Sequence, residues 1–151
     1  MGPLVAPVNL GCPAGTTAYP PPNDIYSCVA VYGDNANRGD SAGGFDVGMR
    51  AGRADPSGFG LLHAAVDHNL AQRTLAYVVV NNAEPRYRED GRLVYGLTYE
   101  YADVGILSIE VIVEPAVDDL EMTPDNSAFG LTTAYCVGVN VCPDGVNASF
   151  P

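Results

Sequence analysis

The sequence predicts one α+β fold: an irregular N-terminal region, one or two helices, then an antiparallel β-meander of about four strands. Three observations carry this. Residues 1–58 hold seven of the twelve prolines and many of the seventeen glycines. Apolar residues at 59, 61, 62, 65, 66 and 70 then recur at helical spacing. From Arg86 onward, alternating strand-like runs are separated by turn signals.

The elements follow in order. Tyr26–Tyr32 (YSCVAVY) is the one short apolar run in the first region and reads as a strand. The Arg38-Gly39-Asp40 triplet matches an adhesion tripeptide, but in a Gly/Asp/Asn loop it reads as chance. Asp55-Pro56-Ser57-Gly58 reads as a turn, with Ser57 as N-cap of a helix from Phe59 to about Gln72. Thr74–Val80 fits either state: its β-branched residues favour a strand, while its register continues the helix. Arg86–Arg88 and Leu93–Tyr95 flank Glu89-Asp90-Gly91, and Asp-Gly is a strong hairpin turn. Leu97–Tyr101 alternates, and Gly105–Val113 (GILSIEVIV) is the clearest strand, stopped by Pro115. An acidic loop over 118–126 leads to a last strand predicted for Phe129–Val141. The natural division is a loop-rich extension, 1–54, packed on or preceding an α+β domain, 55–151.

Composition bounds the function. The 151 residues are 47% hydrophobic and only 17% charged, enough for a real core and too apolar for global disorder. Seven Lys and Arg against eighteen Asp and Glu give a net charge of −11. That excludes a general polyanion binder, since non-specific nucleic-acid affinity comes from cationic contacts to phosphate. It equally excludes a polybasic membrane anchor. No run of 18 apolar residues suits a membrane span, so no membrane insertion is expected. The N-terminus lacks the charged and apolar regions of a signal peptide, which leaves an intracellular protein or a piece of a longer exported polypeptide. Cys12, Cys28, Cys136 and Cys142 sit in Gly/Pro-rich terminal segments that disulfides would staple. Their pairing stays open, with free thiols and a four-thiolate zinc site as the alternatives; the missing C-x2-C spacing disfavours zinc.

Three features can carry chemistry. His63 and His68, the only histidines, share the first helix at H-x4-H spacing. Five residues turn about 140° around a helix axis, so one imidazole should face the core and the other solvent, and a shared metal is disfavoured. Imidazole is the natural acid or base near neutral pH. Leu131-Thr132-Thr133-Ala134-Tyr135 should turn Thr133 and Tyr135 to one face of the last strand, and Thr132 to the other. Their hydroxyls suit a phosphate. Arg73, Arg86, Arg88 and Arg92, four of seven cations, fall between the helix and the central strands and can hold an anion. No Gly-rich phosphate loop links a strand to a helix, so a P-loop or dinucleotide site, and with it a nucleotide-dependent transferase, lacks support.

Taken in order, a G-F-G-x-x-H-x4-H helix, a G-R-L-V-Y strand, an ILSIEVIV strand and a terminal T-A-Y strand resemble the toxin ribonucleases of the barnase–EndoU–colicin–RelE-like superfamily. These are C-terminal domains of bacterial polymorphic and contact-dependent inhibition toxins. The resemblance covers about residues 55–139. It implies a metal-independent, cofactor-free endoribonuclease, often tRNA-directed, that cleaves by attack of the 2′-hydroxyl. His63 matches the first motif histidine and becomes the general acid/base, and His68 its partner or support. Thr133 and Tyr135 match the terminal motif, and Arg86 or Arg88 supplies the cation. The implied partners are a selectively bound RNA and a cognate immunity protein. The implied setting is delivery within a larger exported polypeptide and action in a target-cell cytoplasm. Residues 1–54 would then lie outside the site. The competing expectation, from the charge, is a non-catalytic acidic module (an inhibitor, an adhesin-like domain or a virion component) engaging a basic protein partner.

Overall fold

The computed structural model describes residues 12, 16–21, 23–33, 46–54, 58–81, 85–101, 105–115 and 129–148. The fold is α+β. A 3-10 turn, Asn23–Tyr26, leads to β1 (Ala30–Gly33), which pairs antiparallel with β2 (Asp46–Met49). Helices α1 (Gly60–His68) and α2 (Gln72–Val80) follow. Then come β3 (Arg86–Tyr87), β4 (Leu93–Tyr101), β5 (Gly105–Glu114) and β6 (Gly130–Cys136), an antiparallel sheet in the order β3-β4-β5-β6. A short helix, α3 (Asp144–Ala148), completes the described chain.

One face of the meander carries the core. Leu93, Tyr95, Ile109, Val111, Val113 and Leu131 are fully buried there and pack with Leu75, Val78 and Val79 of α2. Val47 and Met49 of β2 enter the same cluster, so residues on both sides of position 54 share one core. Alternation turns Val94, Glu110, Ile112, Thr133 and Tyr135 to the opposite face.

The helical segment departs from expectation in two ways. The single helix predicted over 59–72 ends at His68, because Asn69 takes a left-handed conformation (φ 57) and the Leu70 N–H closes back on the Ala64 carbonyl. The Asn69 side chain is held there by Cys142 O and Asp144 Oδ1, each at 2.8 Å. Thr74–Val80, open between helix and strand, is helical: Thr74, Leu75, Val78 and Val79 form one buried stripe. The Ser57 cap, the Arg38-Gly39-Asp40 triplet and the 118–126 loop lie outside the described residues. Among the described residues no side chain caps α1; the carbonyls of Arg50 and Ala51 accept from Leu61 N and Leu62 N instead. That close approach needs Gly60 at φ 80, where a Cβ would lie 2.8 Å from the Arg50 carbonyl oxygen.

At the C-terminal end, the strand predicted to Val141 stops at Cys136. The Cys136–Cys142 disulfide closes a turn over 137–141, and α3 follows. The second disulfide is Cys12–Cys28. All four thiols are therefore oxidised, which removes the zinc alternative and is compatible with a secreted protein. Among the described residues, no helix is long and apolar enough to cross a membrane.

Candidate functional site

A cleft of about 420 Å3 opens beside α1. Its lining joins Ile25 and Tyr26, Arg53, Gly58 and Phe59, His63 of α1, Arg92 before β4, and Phe129, Thr132 and Thr133 at the start of β6. His63 follows from the helical register. It precedes the fully buried Ala64, so the side of α1 against β6 carries it, and it is 6% exposed. Its Nδ1 lies 2.9 Å from Asp67 Oδ2, one helical turn on. The alignment is too poor for a hydrogen bond, so Nδ1 is a buried nitrogen with a carboxylate neighbour but no hydrogen-bond partner.

His68 corrects the expectation of two imidazoles on opposite sides of the helix. The two rings meet edge-on, with centroids 5.0 Å apart. His68 is the last helical residue, and the turn after β6 holds it. Its Nδ1 is 2.9 Å from the Asn140 carbonyl, which can only accept, so Nδ1 carries the proton. The Cys142 N–H binds the His68 carbonyl at 3.0 Å. The His68 ring is also 6.4 Å from that of Tyr135.

The Thr132/Thr133 alternation is also corrected. Ile112 pairs with Thr133 and Val113 with Leu131, leaving Thr132 as the extra residue of a β-bulge. The bulge brings both threonines to the cleft. Thr132 Oγ1 donates to the Ile112 carbonyl at 2.9 Å, which leaves Thr133 as the hydroxyl better suited to a ligand.

Tyr135 and Arg86 converge on a residue the sequence did not single out. Glu110, opposite Tyr135 across the β5–β6 ladder, accepts the Tyr135 hydroxyl at 2.7 Å and Arg86 Nη2 at 3.0 Å. Burial alone would raise the Glu110 carboxyl, but the hydrogen bonds from Tyr135 and Arg86 outweigh it and hold it below its ordinary value. Burial raises the Tyr135 hydroxyl, and the bond to Glu110 raises it further. Tyr135 thus stays protonated with its proton committed to Glu110.

Of the four arginines expected to hold an anion, Arg92 lines the cleft, and Arg73, Arg86 and Arg88 do not. Arg86 is exposed and paired with Glu110, and Arg88 with Asp90 at 3.3 Å. Both lie on the β3–β4 hairpin and neither lines the cleft with His63. Arg73 points to Asn147 O at 3.4 Å. Arg53 and Arg92 are the guanidinium groups beside His63, with Arg92 Nε 3.5 Å from Glu114 Oε1. The expectation that residues 1–54 stand outside the site does not fit this cleft, since Tyr26 and Arg53 form part of its wall.

Of the residues overlooked, Asp67 was within reach of sequence reasoning, because i, i+4 from His63 on one helix is a contact spacing. Glu110, Tyr26 and Arg53 carried no such signal. They depend on strand register and on the packing of the N-terminal segment. No protein-family model matches this chain, and no curated protein and no solved structure matches it.

Proposed function

We propose that this protein is a metal-independent endoribonuclease, tRNA-directed, of the toxin type that the order of its motifs resembles. The observation that carries this reading is one cleft joining a buried imidazole, two guanidinium groups and two threonine hydroxyls in an otherwise acidic chain. Cleavage joins the 2′-oxygen of RNA to the adjacent phosphorus and breaks the bond from phosphorus to the 5′-oxygen. A base takes the 2′-hydroxyl proton and an acid returns one to the departing oxygen, giving a 2′,3′-cyclic phosphate and a free 5′-hydroxyl. His63 is the general acid/base. With Nδ1 turned to Asp67, Nε2 is the nitrogen left for substrate, and the carboxylate steadies the imidazolium as it forms. Arg53, Arg92 and Thr133 meet the charge that builds on the phosphate, the largest contribution in sites of this type. His68 supports His63 through the ring contact. Tyr135, Glu110 and Arg86 form a linked group beside His68, in which the Tyr135 hydroxyl donates to Glu110 rather than to a phosphate.

Delivery in a larger exported polypeptide fits the two disulfides, and neutralisation by an immunity protein goes with the toxin reading. The test is incubation with total tRNA in EDTA. Fragments ending in 2′,3′-cyclic phosphate are expected, with a loss of about 10²–10⁴-fold in His63→Ala. Intact RNA at enzyme excess, or undiminished cleavage by His63→Ala, overturns the reading. Such a result favours the non-catalytic alternative, in which the net charge of −11 engages a basic protein.

A further inference from the structure

The lining of the cleft beside His63 is of two chemical kinds. One is cationic and polar, from Arg53, Arg92, His63 and Thr133. The other is aromatic. Phe59 and Phe129 are in contact at a tilt of 44° with centroids 4.5 Å apart, and Tyr26 meets Phe59 at 5.9 Å and Phe129 edge-on at 6.4 Å. Phe59 is buried, while Tyr26 and Phe129 keep part of their surface open.

Behind this wall sits Arg50, 1% exposed and otherwise without a role in the site. A buried guanidinium is expensive to desolvate unless its donors are used. Arg50 Nε donates to the Phe129 carbonyl and Nη1 to the Tyr26 carbonyl, both at 3.2 Å. Its guanidinium carbon also lies 5.8 Å from the centre of the Tyr26 ring. One buried cation thus ties together the two open members of the wall, residues 103 positions apart in the chain.

We propose that the cleft seats a single unpaired nucleotide, its base on the Tyr26–Phe129 wall and its phosphate at Arg53 and Arg92, with Arg50 holding the wall. The proposal rests on the ribonuclease reading for the class of ligand and names how that site recognises it. Aromatic faces stack with any base and guanidinium groups hold phosphate, and the two together define a nucleotide rather than a phosphate ion or a plain aromatic compound. A cleft of about 420 Å3 is of small-molecule size, so a base enters it only when it is not paired in a duplex. Selection by an unpaired base also fits a chain whose overall charge repels RNA: the seat acts at single-stranded loops or ends and not along a helix.

The test measures binding without turnover. Cytidine and guanosine 3′-monophosphates and base-free ribose 5-phosphate are titrated into the wild-type protein and followed by amide NMR. The mononucleotides should bind more tightly than ribose 5-phosphate and shift Tyr26 and Phe129. The chain has no tryptophan, so Tyr26→Trp provides a single reporter. Its fluorescence should be quenched by the mononucleotides and not by ribose 5-phosphate. Tyr26→Leu should weaken mononucleotide binding roughly 5- to 150-fold and leave ribose 5-phosphate unchanged. Equal affinity of the wild-type protein for nucleotide and ribose phosphate overturns the proposal, as does a silent tryptophan. Base-dependent binding with intact RNA removes the cleavage reading and keeps the seat. His63-dependent cleavage with no preference for the base does the reverse.

Discussion

The Cys136–Cys142 disulfide closes a loop of sequence separation 6, and Cys12–Cys28 one of 16. Chain-entropy scaling assigns about 2 kcal/mol to the first and about 3 kcal/mol to the second. Replacing both cysteines of a pair by alanine should therefore lower the melting temperature by about 4–8 °C for the short loop and by about 6–12 °C for the long one. The order reverses for the site. The short loop presents Asn140 O to His68 Nδ1, and Cys142 bonds both the His68 carbonyl, through its N–H, and Asn69 Nδ2, through its carbonyl. Losing that bridge should release His68 from the Nδ1–H tautomer. Losing the other bridge should leave the tautomer intact. Urea or thermal unfolding reads the stability, and long-range ¹H–¹⁵N NMR of the imidazoles reads the tautomer at a temperature where both variants are folded. The reasoning is refuted if His68 keeps its Nδ1 proton without the Cys136–Cys142 bridge, or if removing Cys12–Cys28 is what mobilises it.

Three further outcomes follow from the sheet and its ends. Glu110→Gln should lower stability at neutral pH, with the gap to wild type closing on acidification. The folded carboxyl lies below its ordinary value, so its contribution is complete above the ordinary carboxylate range of about pH 4 and is lost as pH falls through the folded value. In the same variant Tyr135 should ionise at lower pH than in wild type, seen by ultraviolet titration, because its bond to the Glu110 carboxylate, which helps hold its proton, is weakened. Gly130→Ala should cost more than Gly138→Ala in denaturant unfolding. Both glycines have left-handed backbones (φ 85 and 89), which alone costs an alanine about 1–3 kcal/mol. Only at Gly130 would the new Cβ strike a backbone carbonyl, that of Gly48, so equal losses would contradict the β2–β6 approach.

Local pattern determined much of this protein before any packing was considered. The Asp90-Gly91 turn, the GILSIEVIV strand, the amphipathic run around His63 and the α+β order depend on side-chain period and turn chemistry, which are properties of neighbouring residues. So does the pairing of His63 with Asp67, four residues apart on one helix. Tertiary structure decided the rest, and in each case the reason is a long-range contact. Asn69 breaks the helix because Cys142 and Asp144 hold its side chain. His68 turns towards His63 because Asn140 binds its ring. Thr132 joins Thr133 at the cleft because a bulge shifts the register against β5. Arg53 lines the cleft because the N-terminal segment that carries it pairs with Phe59 ahead of α1, and Arg92 joins it there, while Arg86 and Arg88 face Glu110 and Asp90 instead. Residue identity selected a histidine, hydroxyls and arginines; which of them meet is a matter of register, bulge and loop, set by partners up to about a hundred residues away and invisible to a local pattern.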